Sequence, residues 1–376
     1  MMRDSPGPRS DRLRVGRRRA AVPCTAGLLL CLAWMAPRAA PLIEAEARVG
    51  GGYDTNVYEA VSSAREVRDS YGLLELGLHL QARRAPLRRG AHASLRWAAD
   101  RFRVERRETR HILWGEVGWR FANRRRALEL TGSATRRTFP ADPERDVTRY
   151  ELATALQWRW GRTARLRIEG AGVFADTDPN GPAERRGWRA NGEYRHLIGG
   201  RWQAFQRIES RSVRYERRVR GECPPGYAIG PYDRQEAETY LVGVGIARTG
   251  SPLVQLFYGL RATTSNVSTL SHQRHEVRLH AGWLLPARVT AQVMVRWNVT
   301  SYCGAGCLAV LADEDPEDPD LWEQNSVVLQ LRRPVGAGVA AEVRAAWQRN
   351  EAPIPGRYYE KGSLQIALMY GGARLP

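Results

Sequence analysis

Arginine and glutamate recur two residues apart in this sequence: Arg149 and Glu151, Arg167 and Glu169, Glu193 and Arg195, Glu276 and Arg278, Glu342 and Arg344. On an extended chain that spacing sets both side chains on one face, where ion pairs between strands would stiffen a sheet. The same faces also carry Arg165, Arg189, Arg274 and Arg296, so arginine exceeds glutamate by about two to one. A surplus of fixed cations on one surface concentrates anions and speeds their arrival. The acidic run Asp313-Glu314-Asp315-Pro316-Glu317-Asp318-Pro319-Asp320 is of the opposite sign. It reads as a solvated loop, as a constriction folded against the arginine face, or as carboxylates for a divalent cation, although no ligand spacing favours the metal. Cys303-Gly-Ala-Gly-Cys307 has no nearby His or further Cys for zinc. A local Cys303–Cys307 disulfide is expected, with Cys223 unpaired or the alternative partner. His92-Ala93-Ser94 is the Ser–His pair considered for hydrolysis at a lipid-facing surface, but it sits near a short turn and on the inner face, and His272, His275 and His280 straddle both faces of their segment, which does not suit a shared metal. No catalytic residue, metal or cofactor is assigned, and the chain is read as a non-enzyme.

The elements that position these residues are strands. From Tyr150 to Trp160 the residues Tyr150, Leu152, Thr154, Leu156, Trp158 and Trp160 alternate with Glu151, Ala153, Ala155, Gln157 and Arg159. Period two with unlike faces is the mark of a strand between an apolar and a polar environment. Gly161 and Arg162 turn the chain, and the alternation resumes through Leu166, Ile168 and Phe174 against Arg165, Arg167 and Glu169. The apolar face is aliphatic in the middle and aromatic at its ends. With a tilt near 40°, the step from Tyr150 to Trp160 rises roughly 25 Å, the height of a lipid-facing band with its aromatic girdles. A soluble sandwich would show the same alternation in one hairpin, so the rest of the chain has to decide.

Sixteen segments carry this code, and their connections alternate in length. Short turns stand at Arg83–Arg89, Ala122–Arg126, Gly161-Arg162, Gly199-Gly200, Thr249–Pro252, Pro286-Ala287 and Pro334–Gly336; longer polar stretches lie between them, the largest at Glu216–Arg234 and Tyr302–Leu321. Only the link near Glu105–Glu108 belongs to neither class. Short turns at one end, long loops at the other and an even strand number predict an all-β, transmembrane antiparallel barrel of about sixteen strands rather than a Greek-key sandwich. Arg149, Arg165, Arg167, Arg189, Arg195, Arg274, Arg278, Arg296 and Arg344 all fall opposite the apolar stripes, and stripes such as Val289, Ala291, Val293, Val295, Trp297 and Val299 carry no charge. These arginines are therefore expected to line the lumen.

The chain has 376 residues and a formal net charge of +18. The run Ala20 to Pro37, preceded by Arg17, Arg18 and Arg19 and interrupted by Pro23, has the layout of a cleavable signal peptide. Residues 1–40 are assigned to it and 41–376 to the barrel, which keeps 50 basic against 38 acidic residues. Such a charge suggests nucleic acid; arginines spread at strand spacing in a secreted chain argue against that partner. Lys361 is the single lysine.

The segment Gly50-Gly51-Gly52-Tyr53-Asp54-Thr55-Asn56-Val57, leading into alternating strands, resembles the first strand of Gram-negative outer-membrane β-barrel proteins, including barrels of surface-lipoprotein assembly modifiers and of exopolysaccharide-export loci. The chain departs from the assembly-modifier pattern in lacking a helical repeat region ahead of the barrel, and it ends Tyr370-Gly-Gly-Ala-Arg-Leu-Pro rather than on an aromatic residue. The resemblance implies residence in the bacterial outer membrane with both termini periplasmic, contact with outer-membrane lipid, and delivery by the barrel-assembly machinery. Two functions follow as expectations: an anion-preferring pore for small solutes or an anionic polysaccharide, or a non-conducting scaffold or translocation partner for a surface component.

Overall fold

Alternation on this scale leaves the chain one economical solution, because each strand must turn its apolar face one way and its charged face the other while leaving no unpaired edge. The computed structural model describes residues 42–55, 68–84, 89–143, 146–161, 163–177, 185–215, 220–222, 235–265, 271–302, 308–310, 324–350 and 359–375. Its strands are β1 (Leu42–Asp54), β2 (Asp69–Arg84), β3 (Arg89–Phe102), β4 (Arg110–Ala122), β5 (Arg126–Thr138), β6 (Val147–Trp160), β7 (Ala164–Thr177), β8 (Arg185–Gly199), β9 (Trp202–Tyr215), β10 (Arg220–Glu222), β11 (Gln235–Arg248), β12 (Leu253–Ser265), β13 (His272–Leu284), β14 (Thr290–Tyr302), β15 (Leu308–Val310), β16 (Gln324–Gly336), β17 (Val339–Asn350) and β18 (Tyr359–Leu375). All but β10 and β15 form one closed antiparallel barrel in sequence order. It has the sixteen strands that the connection lengths predict.

Closure joins β1 to β18, from Ile43 opposite Leu375 to Asp54 opposite Ser363, with a bulge between Ala45 and Glu46. Arg48 fastens the seam from inside. Its guanidinium reaches Glu75 on β2 at 3.3 Å, Glu342 on β17 at 2.5 Å and Gln365 on β18 at 3.0 Å. Four of the tight turns place a glycine at positive φ: Gly161 (63°), Gly200 (55°), Gly250 (103°) and Gly338 (71°). A side chain there would be strained, which is why these turns are glycine-marked.

The outer face is apolar. Leu152, Ile208, Val242 and Ile366 are 71%, 61%, 62% and 59% exposed on it. Trp160, Trp202, Trp283 and Tyr370 ring the short-turn end, and Tyr53, Tyr150, Trp188 and Tyr240 the opposite one. Tyr and Trp belong at such borders, where the ring meets hydrocarbon and the polar atom meets water. The small buried apolar core sits inside the barrel: Phe205, Leu241, Ala247 and Phe257.

Three features differ from the sequence reading. The link after β3 belongs to the long-connection end, where the carboxylate of Asp69 accepts the backbone N–H groups of Val104 and Glu105 at 2.9 Å each. β18 continues past Tyr370, where the alternation of the sequence stops, to Leu375. A separate ribbon pairs β10 with β15, Arg220 opposite Val310 through Glu222 opposite Leu308, tying the connection after β9 to the one after β14.

Candidate functional site

Because neighbouring side chains alternate across the wall, the outward stripe fixes which residues point inward. On β6, Leu152 and Leu156 face out, so Arg149, Glu151 and Arg159 face in; the register carries the assignment around the barrel. Two unlike arcs result. Along β6–β9 and β11–β14, thirteen arginines point inward against five glutamates, whereas β16–β18 and β1–β5 turn in eight basic and nine acidic side chains among the described residues. The surplus therefore lies on one side of the lumen.

Within the basic arc four of the five carboxylates are shared by two arginines, and Glu193 engages Arg195. Glu151 accepts from Arg149 at 3.0 Å and from Arg189 on the second strand over at 2.9 Å. Glu169 lies 2.8 Å from Arg167 and 3.2 Å from Arg189. Glu209 lies 2.9 Å from Arg207 and 3.9 Å from Arg261, and Glu276 is bonded to Arg278 and lies 3.1 Å from Arg296. One negative charge between two guanidiniums holds both in place and neutralises half of their charge. Such charge-assisted bonds are the strong ones, so the geometry is stiff.

Of the nine arginines expected in the lumen, Arg149, Arg167, Arg189, Arg195, Arg278 and Arg296 all engage glutamates of the inner wall. Arg274 is fully buried, and its Nε donates to Thr300 Oγ1 at 3.3 Å. Arg165 has no ion-pair partner among the described residues and stands opposite Arg195 and Arg159. Arg344 lies on the inward face, opposite Gln330 and Gln365, but not paired as expected: Glu342 turns instead to Arg48 and to Gln330 Nε2, at 2.6 Å, and the Arg344 side chain is exposed. The expected ladder between strands is also partly a set of bonds along single strands, since Arg149–Glu151, Arg167–Glu169, Arg195–Glu193 and Arg278–Glu276 all join residues two apart.

One strand of the basic arc has no inward charge. β11 turns Leu241, Gly243, Gly245 and Ala247 inward, and the rings of Phe205 from β9 and Phe257 from β12 lie across it, parallel to within 8° and 6.0 Å apart. Phe205 is 2% exposed and Phe257 4%. A Cβ at Gly243 or Gly245 would run into these rings, so glycine makes the floor on which they lie. The guanidiniums of Arg195 and Arg278 then sit over the rings at 5.1 Å and 5.7 Å. Cation–π attraction at that distance adds to their ion pairs. The sequence reading missed this platform; its signal is a phenylalanine in a polar register opposite glycine on the next strand.

His92 and Ser94 do not form a pair. His92 Nε2 lies 3.1 Å from Glu116 Oε1, while Ser94 Oγ lies 2.6 Å from His79 Nδ1. His275 faces out to Tyr258 Oη at 2.8 Å, whereas His272 and His280 face in. Among the described residues no group of three or more His, Cys, Asp or Glu is placed to hold a metal. The acidic run 313–320, Cys223, Cys303 and Cys307 lie outside the described residues.

A closed sixteen-stranded antiparallel barrel, apolar outside and charged inside with aromatic borders, is the architecture of an outer-membrane porin-like barrel. Solved structures similar to this chain include a bacterial polysaccharide outer membrane secretin, at 9% identity and a TM-score of 0.48 over 88% of this chain and 98% of that one. OccAB1 of Acinetobacter baumannii is similar at 10% identity and a TM-score of 0.47 over 88% and 96%. An anion-selective porin from Comamonas acidovorans is similar at 7% identity and a TM-score of 0.44 over 89% and 100%. No protein-family profile and no curated protein sequence matches the chain.

Proposed function

We propose that the chain is a bacterial outer-membrane barrel that passes anions, with the short turns and both termini in the periplasm and the long connections outside the cell. The observation that carries the reading is the inward surplus of thirteen arginines over five glutamates in an arc whose outer face is apolar. The work proposed is transport rather than catalysis. The residues assigned to it are the inward arginines of β6–β9 and β12–β14, above all Arg165 and Arg167 on β7.

In planar bilayers under a salt gradient, the purified protein should give a reversal potential of anionic sign. Guanidinium groups hold their protons into alkaline solution, so the sign should persist there. The preference should fall with salt, because the screening length shrinks from ~10 Å at 0.1 M to ~3 Å at 1 M. Replacing Arg165 and Arg167 together with Gln should reduce it without unfolding the barrel, since Glu169 keeps Arg189 as its partner and Glu129, 3.5 Å from Arg167, is partly exposed to solvent. A potential of cationic sign would overturn the reading. A second reading, a non-conducting scaffold or translocation partner, is favoured by one observation: Arg274 and Glu276 are 0% exposed and Arg261 2%, so that part of the lumen is filled by protein. Silent membranes would decide for it.

A further inference from the structure

The basic arc also holds a recess. A cavity of about 360 Å³ lies against β6–β9 and β12–β14, in the half of the barrel nearer the long connections, and eight arginines line it against one carboxylate, Glu209. Its volume falls at the small end of the range typical of small-molecule sites. Val173 and Val213 give it an apolar side.

Three of the guanidiniums around this cavity have donors to spare. Each has five N–H groups, yet among the described residues Arg149 donates only through Nη2 to Glu151, Arg207 only through Nη2 to Glu209, and Arg189 only through Nη2 to Glu151 and Glu169. The Nε–H groups of Arg189 and Arg207 are buried with no acceptor among the described residues. An unfilled buried donor carries a desolvation penalty that a ligand acceptor removes. The donors are also prearranged, because Glu151, Glu169 and Glu209 each already pin two arginines, so little side-chain freedom is lost on binding. A chloride ion would satisfy one guanidinium pair and leave the others as they are. Two or more linked oxyanions can reach several pairs at once, with the planar, bidentate geometry that arginine prefers.

We infer that this recess is a binding site for a small solute carrying two or more oxyanion groups, held by Arg149, Arg189 and Arg207 with Arg261, Arg278 and Arg296 around it. The inference rests on the reading of the lumen as an anion-accepting space and adds to it a saturable site with a preference for multivalent anions. The cavity is sized for a solute rather than for a polymer, which would need an open track along the whole lumen.

Inorganic pyrophosphate is the probe. Titrated calorimetrically into the full-length protein in neutral detergent at 0.1 M sodium chloride, it should bind saturably with one site per chain, and more tightly than phosphate or chloride. Arg149→Gln and Arg207→Gln remove donors without orphaning a glutamate, since Glu151 keeps Arg189 and Glu209 keeps Arg261. Each should weaken pyrophosphate about ten-fold, the worth of one charge-assisted bond, and the pair about a hundred-fold. Arg96→Gln, in the balanced arc where Arg96 pairs with Glu46, should leave binding unchanged. Loss of affinity in R96Q equal to that in R207Q would mean a diffuse field and no site. Absence of saturable binding, or a stronger preference for a polyuronate than for pyrophosphate, would also overturn the inference. Anion-signed conductance without pyrophosphate binding would remove the site and leave the pore, whereas binding to a protein silent in bilayers would remove the pore and leave the site.

Discussion

Leu156→Arg is expected to lower the stability of the barrel by roughly 2–4 kcal/mol, and Ala153→Arg, three residues earlier on β6, by less than about 1 kcal/mol. Leu156 stands near the middle of the outward stripe, between Leu128 on β5 and Ile168 on β7. A guanidinium there would face hydrocarbon, with the Trp160 border four residues away and the Tyr150 border six residues away. Ala153 points inward between Thr131 and Ala171, two residues from Glu151, and an arginine there would find space, water and a carboxylate. Refolding into phospholipid vesicles across a urea series, followed by tryptophan fluorescence, separates the two variants. Equal losses, or the larger loss at position 153, would mean that the interior is the dry side and the apolar face is not in lipid.

Phe257→Ala should cost about 3–5 kcal/mol, the range for removing a buried phenylalanine. The ring is almost wholly enclosed, stacked on Phe205 and seated over Gly243, so its removal opens a void in the apolar cluster. The loss should extend beyond packing. Arg278 rests on that ring while bonded to Glu276, and without it the guanidinium gains freedom to swing. Loss of stability should therefore be accompanied by noisier or altered conductance. Gly243→Val should act in the same direction from below, because its side chain would press on the Phe257 ring and on the Tyr258 carbonyl oxygen, 2.7 Å from the added Cβ. Unfolding midpoints for the two variants, read beside single-channel records, test this. A Phe257→Ala protein of wild-type stability would show that the platform holds nothing in place.

Most of the architecture was legible because a barrel wall is written in period two. Strand number, the alternation of short and long connections and the inward placement of the arginines all follow from the unlike environments of the two faces, which penalise a slip of one residue heavily. Strand ends were less legible. Gly371 and Gly372 interrupt the alternation of β18 where the pairing with β1 bulges, so a rule of alternation stops at Tyr370 while the backbone continues to Leu375. The ribbon of β10 and β15 was missed because three-residue strands in long polar connections have no period to detect. Side-chain partners depend on which strands become neighbours. Arg149 and Glu151 could be paired by eye at two residues' separation, but Arg48 with Glu342 is set by closure, across 294 positions of sequence. The sharing of Glu151 with Arg189 and the seating of Phe257 on Gly243 depend on register in the same way.

The unequal arcs act across the lumen as well as along it. With the cationic surplus confined to β6–β9 and β12–β14 and the facing arc near balance, the field has a component perpendicular to the barrel axis, directed away from the arginine wall. A solute with charge at one end only would be turned as it enters, its anionic end leading toward that wall and its neutral end toward the mixed surface of β1–β5. An amphoteric solute would experience a torque even where its net charge is zero. Passage would then depend on how charge is distributed within a molecule as much as on its total, and two isomers of equal size and charge need not travel at the same rate.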